Sequence, residues 1–248
     1  MPELKILGRK PVIEALEAKL PIKKIFLATG NEGKIIAKIQ ALAAKQKIRS
    51  TTLNRNNLQR MAGSDNHQGV VAVMDALPTL SLEALLDKVA SKNAPVLALL
   101  DGVEDPRNFG AILRVADGAG IDGVIIPERR SASLTPGAIK TSAGAAFHVP
   151  VAEVTNLSRA IETLKKNRFW IAGMDMAAGK TPWEIDFNIP VTIVLGSEGK
   201  GMRRLIREKC DFLVSLPMHG KVESLNVSTA AAAIFYEVVR QRKKIGIK

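Results

Sequence analysis

Along the first 75 residues the spacing of apolar positions switches repeatedly between the helical and the extended period. "KPVIEALEAK" (10–19) repeats every three or four residues and predicts a helix, and "KKIFLAT" (23–29) reads as a strand. "KIIAKIQALAAKQK" (34–47) is a strongly amphipathic helix and "GVVAVMD" (69–75) a closing strand. Between them "GSDNHQG" (63–69) carries turn chemistry. The lysines of the 34–47 helix suit either a face that follows phosphates or its solvated side.

"ALPTLSLEALLDKVASKNAP" (76–95) follows, with Pro78 and Pro95 bracketing a short helix that Ser81 is placed to cap. We read 1–76 as one domain, 77–94 as a linker with a short helix, and 95–248 as a second domain. In the second, apolar runs "VLALL", "GVIIP", "FWIAGM", "VTIVLG" and "FLVSLP" alternate with helical stretches such as "NFGAILRVADGAG" and "NLSRAIETLKKN". Runs apolar at every position suit strands covered on both faces, so the fold class is α/β with a mostly parallel sheet between helices. Ligands in such sheets bind at the carboxyl ends of the strands.

Composition narrows the chemistry. No run of about 18 apolar residues appears and the start lacks an apolar secretory core, which predicts a soluble, unprocessed protein without a membrane partner. A single cysteine, Cys210, excludes an intrachain disulfide framework and points to a reducing cytoplasm. It reads as a small buried hydrophobe. His67, His148 and His219 lack ligand spacing, so no metal is expected. The net charge of +12 favours a polyanionic partner, with a solvated basic surface as the alternative. Residues 1 to 75 hold 13 Lys or Arg against 6 Asp or Glu, marking the first segment as the RNA-holding one. At 4% aromatic residues, base stacking contributes little, and shape and backbone recognition must carry RNA binding.

Three strand-end loops hold candidate chemistry. After "VLALL", the turn "EDPRNFG" leads into a helix with Asn108 as a candidate N-cap and Arg114 set among Ala111, Ile112, Leu113, Val115 and Ala116. An arginine buried there needs an anion, either Asp117 or a substrate phosphate. After "VTIVLG", glycines 196, 199 and 201 surround Glu198, which is either functional or a solvated loop carboxylate near Lys200. After "FLVSLP", the loop "MHGKVES" precedes a helix that starts near Asn226, with Ala230 to Ala233 as a slim face. "GMDMAAGKT" (173–181) imitates a phosphate loop but misses the first glycine by one position, and we reject nucleotide triphosphate binding.

Together "DPRNFGAILRVADGAG", "VLGSEGKGM" and "LPMHGKVESLNVSTAAAAIFYE" resemble the three ordered motifs of the SpoU family of RNA 2′-O-ribose methyltransferases. The portion opening on "LGRKPVIEAL" and closing on "HQGVVAVM" resembles the small domain that precedes the catalytic domain in bacterial 23S rRNA guanosine 2′-O-methyltransferases. The resemblance implies an L30e-like α/β/α domain, then a catalytic SPOUT domain with a trefoil knot, which neither periodicity nor spacing indicates. It implies S-adenosyl-L-methionine as cofactor, held by Gly196, Glu198, Gly199, Gly201, Leu216, Met218 and Leu225. It assigns the central catalytic role to Arg114, supported by Asn108, Glu198, Ser224 and Asn226. Arg114 either loses a proton transiently in a desolvated site or clamps phosphate and hydroxyl while another group takes the proton. His219 is read as a loop residue.

The implied partners are 23S rRNA as substrate and a second copy of the chain in a homodimer. The alternatives are tRNA as substrate, or a non-catalytic RNA-binding protein of ribosome assembly. Retention of all five catalytic candidates speaks against the latter.

Overall fold

In the computed structural model, residues 3–242 are described, and the chain divides into two compact units, Met1–Pro78 with Leu134–His148, and Thr79–Ser133 with Val149–Lys248. Residues 1, 2 and 243–248 of the predicted domains, with the two lysines expected to extend the last helix, lie outside the described residues.

The first unit is built on strands β1 (Leu4–Leu7), β2 (Ile22–Ala28), β3 (Arg49–Leu53) and β4 (Val70–Met74), in the order β1-β4-β2-β3. β4 runs antiparallel to both neighbours, whereas β2 and β3 are parallel. Every residue of β4 is buried, as an apolar central strand requires. Helices α1 (Arg9–Glu17), α2 (Lys34–Lys45) and α3 (Arg55–Ala62) accompany the sheet, and α2 buries Ile36, Ile39 and Ala43 at helical spacing. One lysine of α2, Lys38, reaches Glu17 at 2.7 Å with both side chains about half exposed, so at this position the stripe is solvated. β1 and β3 were not anticipated: β1 has four residues, and "RSTTL" of β3 has no buried position to register as an apolar run.

The second unit begins with α4 (Leu82–Val89), capped by Ser81, whose Oγ accepts from Ala84 N at 3.1 Å. Its Leu82, Leu85 and Val89 are buried in the same core as Leu97, Leu99, Ile125 and Ile171, and Leu80 bridges to Ala152. The stretch read as a linker is therefore a packed element, because its own apolar face needs cover. Next come β5 (Val96–Asp101), α5 (Pro106–Ala119), β6 (Gly123–Pro127) and α6 (Pro136–Ser142), the last falling in the segment that groups with the first unit. β7 (Val151–Val154), α7 (Leu157–Lys166), β8 (Trp170–Met174), β9 (Val191–Gly196), α8 (Arg204–Arg207), β10 (Phe212–Val214) and α9 (Val227–Arg242) complete it.

Six strands form one sheet in the order β10-β8-β9-β5-β6-β7, parallel throughout. β5 and β6 are buried at every position, as their uninterrupted apolar runs predict. β7 was missed because only its first two residues, Val151 and Ala152, are buried. No helix among the described residues is long and apolar enough to cross a membrane.

Candidate active site

The chain leaves β5 toward β6 on one side and leaves β9 toward β10 on the other, although β5 and β9 are paired neighbours. Their carboxyl ends therefore diverge at a topological switch point, where parallel sheets open a crevice. The last register pair of the two strands is Asp101 with Gly196. Asp101 is fully buried at its carboxylate, which accepts from Arg203 N at 2.7 Å and from Arg203 Nε at 2.6 Å. A buried carboxylate is tolerable only with such charge-assisted partners, and this one ties the loop after β9 to the tip of β5.

Beyond Gly196, residues 197–201 close into a tight turn. Ser197 N donates to Gly201 O at 3.0 Å and Gly201 N returns to Ser197 O at 2.9 Å. Gly196 is obligatory, since a Cβ there would overlap the backbone of Gly201 and Met202. Gly199 and Gly201 adopt φ of 75° and 65°, and the space beside each is open. On one side of this turn lies a cavity of about 700 Å³, within the range of about 300–1,000 Å³ usual for small-ligand sites. Its walls include Gly196, Gly199, Leu216, Met218, Ser224 and Leu225.

The loop of the rejected phosphate motif forms another part of that wall. Met174 to Ala177 line the cavity, Asp175 is ion-paired with Arg207, and a 3-10 turn at Pro182–Glu184, not the α-helix of a P-loop, comes directly after Lys180. Sequence reading missed Asp175, Arg207 and the Asp101–Arg203 pair. The only available signals were their positions after apolar runs.

Asn226 immediately precedes α9, and its Oδ1 accepts from Ser228 N at 2.9 Å and from Ser228 Oγ at 2.6 Å, which is helix capping. The same carboxamide donates through Nδ2 to Asn108 Oδ1 at 3.1 Å and to Glu198 Oε1. Both its acceptor sites and both its donors are thus engaged, and the ring of partners fixes which way the amide faces. Asn108, one of whose two readings was an N-cap, does not cap the helix. α5 starts at Pro106 and is capped by Asp105, whose Oδ1 accepts from Arg107 N at 2.8 Å. A proline at the first helical turn needs no donor, so the start moves forward and leaves the Asn108 side chain free for Asn226. The Arg107 guanidinium and backbone amide hold the Asp105 carboxyl below its usual range.

Arg114 stands apart. It is exposed on α5, not buried as the flanking apolar residues suggested, because Ile112, Leu113 and Ala116 occupy the inward face of the helix instead. No hydrogen bond or ion pair among the described residues joins Arg114 to Asp117 or to the other candidates, and it lines neither cavity at the switch point. Ser224 and Leu225 are exposed at the cavity rim, and His219 is exposed in the loop outside it. The four alanines do not share one face: Ala231 is buried while Ala233 is exposed, and α9 packs against α5. Cys210 is half-buried, and burial pushes its thiol up to about 12.

Residues 95–236 match the SpoU rRNA methylase family, and residues 5–80 match the family described as RNA 2′-O ribose methyltransferase substrate binding. The chain belongs to the SpoU family. Over 97% of its length and 97% of the relative, this SpoU chain is 42% identical to YacO of Bacillus subtilis, which bears a TrmH family tRNA/rRNA methyltransferase name. It is 44% identical to a similarly named Staphylococcus saprophyticus protein, with 100% of both chains covered. The solved SpoU methyltransferase AviRb from Streptomyces viridochromogenes, in complex with the cofactor AdoMet, superposes with a TM-score of 0.83 at 26% identity, covering 97% of this chain and 90% of that one. The SpoU family is an AdoMet-dependent RNA methyltransferase family, and the cavity beside Gly196 fits that cofactor. A side chain at Gly196 has no room, the turn glycines leave open space, and Leu216, Met218 and Leu225 offer apolar contact.

Proposed function

We propose that this chain methylates a ribose 2′-hydroxyl of RNA, with a guanosine of 23S rRNA as the leading target and tRNA as the alternative. The observation that carries the reading is the Asn108–Asn226–Glu198 cluster. It joins the first turn of α5 to the loops after β9 and β10, with Glu198 lining both the cavity suited to the cofactor and a second cavity across the 197–201 turn, and Asn108 lining the second.

In this reading Gly196, Glu198, Gly199, Gly201, Leu216, Met218 and Leu225 hold S-adenosyl-L-methionine, mainly through backbone and apolar contacts. When bound, the cofactor supplies an electrophilic methyl group. The task left to the chain is to orient the hydroxyl and manage its proton. Asn108, Glu198, Ser224 and Asn226 position the ribose. Arg114, exposed in a single chain, comes from a second copy in a homodimer and completes the site. Its guanidinium offers only donors, so it clamps the hydroxyl and stabilises developing negative charge while water takes the proton.

The basic first segment, residues 1–76, holds the RNA, a role supported by its charge balance and its family match. The single cysteine suits a cytoplasmic setting. The test is to incubate the purified protein and labelled S-adenosyl-L-methionine with unmodified 23S rRNA and with tRNA, then map the alkali-resistant linkage. Label in 23S rRNA is expected. Label only in tRNA replaces the substrate, and label in neither, with cofactor bound, overturns the enzyme reading.

A further inference from the structure

The second cavity, about 490 Å³, lies across the 197–201 turn from the first and is lined by the loops that follow β5, β6 and β9. Asn108 and Glu198 face it, together with Arg129, Arg130, Lys200 and Arg203. Some of its charges are already answered, while the Lys200 side chain makes no hydrogen bond or ion pair among the described residues. Arg203 is held by Asp101, Asp105 by Arg107, and Glu198 by Asn226. Glu104 is an exposed carboxylate on the same lining. Arg129 and Arg130 are exposed, and no hydrogen bond or ion pair engages either side chain among the described residues.

The short loop that carries them is constrained. Glu128 N donates to Val154 O at 3.0 Å, Ser131 Oγ to Pro127 O at 2.6 Å, and Ala132 N to Val103 O at 2.8 Å. Arg130 sits between these ties at φ 57°, a left-handed conformation that a residue with a long side chain rarely adopts. Lys19, Lys47, Gln68 and Arg168 turn the same way elsewhere in the chain, so what sets this loop apart is its ties and its place on the cavity wall. Two adjacent, unpaired guanidinium groups on a pinned loop, beside the candidate ribose-orienting residues, match the chemistry of a phosphate diester.

We propose that Arg129 and Arg130 form a phosphate subsite that takes a backbone phosphate next to the ribose presented to Asn108 and Glu198. This rests on the methyltransferase reading for its location, though not for its test. The subsite sets the strand's position over the second cavity, while the first cavity takes the cofactor.

The experiment compares the full-length wild type with the double variant Arg129→Gln/Arg130→Gln, the double variant Arg129→Lys/Arg130→Lys, and Lys166→Gln on α7 as a control. S-adenosyl-L-methionine affinity is measured by calorimetry, which also reports on folding. Affinity for an unmodified 23S rRNA transcript is measured, without turnover, from about 50 to 200 mM salt. The glutamine pair is expected to bind cofactor normally, to lose roughly tenfold or more in RNA affinity, and to show a log–log salt slope shallower by about 1 to 2. The lysine pair is expected to recover the slope but only part of the affinity, since it keeps charge without the fork. Unchanged RNA affinity and slope in the glutamine pair overturns the subsite, even where the wild type methylates RNA. A wild type that binds RNA through these arginines yet transfers no methyl group overturns the enzymatic reading and leaves the subsite standing.

Discussion

Asn226 Nδ2 lies 3.1 Å from Asn108 Oδ1, across 118 positions of sequence, and donates to Glu198 as well. Glu198 and Asn226 come from the loops after β9 and β10 and Asn108 from the first turn of α5, which follows β5, so the cluster exists only when the sheet is assembled in order. Because Asn226 also caps α9, its removal separates two effects. Asn226→Ala is expected to lose about 1 kcal/mol of stability through the cap. It is expected to lower single-turnover methyl transfer by about a hundredfold or more, well beyond what that loss explains. Thermal unfolding and labelled methyl transfer on the same preparation check both numbers, and equal, modest losses would reduce Asn226 to a cap.

Gly196→Ala and Gly199→Ala should part company. The first drives a methyl group into the backbone of Gly201 and Met202, so it is expected to destabilise by about 1–3 kcal/mol and to abolish cofactor binding. The second meets open space and suffers only the unfavourable left-handed backbone, roughly 1 kcal/mol. Melting temperature and calorimetric binding of S-adenosyl-L-methionine rank the two.

Arg114 is placed for a test of subunit sharing. Arg114→Ala and Asn226→Ala are each expected to be inactive. Co-expressed and randomly paired, half of the dimers carry both chains, and one of their two sites pairs an intact Arg114 with an intact Asn226. Activity is then expected to return to about a quarter of wild type. A mixture as inactive as its components would place Arg114 in its own chain's site or outside catalysis.

The Cys210 thiol predicts a pH effect on stability. Burial raises its folded-state pKa from 9.0 to about 12, so between those values the unfolded chain has released a proton that the folded chain retains. The stabilisation is fully present below pH 9 and is lost as pH rises toward 12, at up to about 1.4 kcal/mol per unit. Chemical unfolding of the wild type and Cys210→Ala from pH 8 to 11 should show the wild type falling more steeply. Parallel curves would mean that the thiol is wetter than its surroundings indicate.

The central sheet was legible because its strands are buried on both faces and their apolar runs have no competing period. β3 and β7 were not, since β3 has no buried position and β7 only two, so neither shows an apolar run. The candidate site divided the same way. Gly196, Glu198 and Asn226 were visible as strand-end residues, and their convergence followed from the resemblance of three motifs, not from any local pattern. The start of α5 was misjudged because Asp105 and Asn108 are both good caps, and the proline between them decides the matter. The exposure of Arg114 was misread for a simpler reason: its neighbours are apolar in sequence, but a helix sends consecutive residues to different sides.

The filled hydrogen-bond valence of Asn226 has a consequence for timing. Contacts spanning 118 and 28 residues close the same amide, and long-range closures are late events in folding because their loop entropy must be overcome first. The tripartite cluster is therefore complete only when the segments after β5, β9 and β10 have all reached their native places.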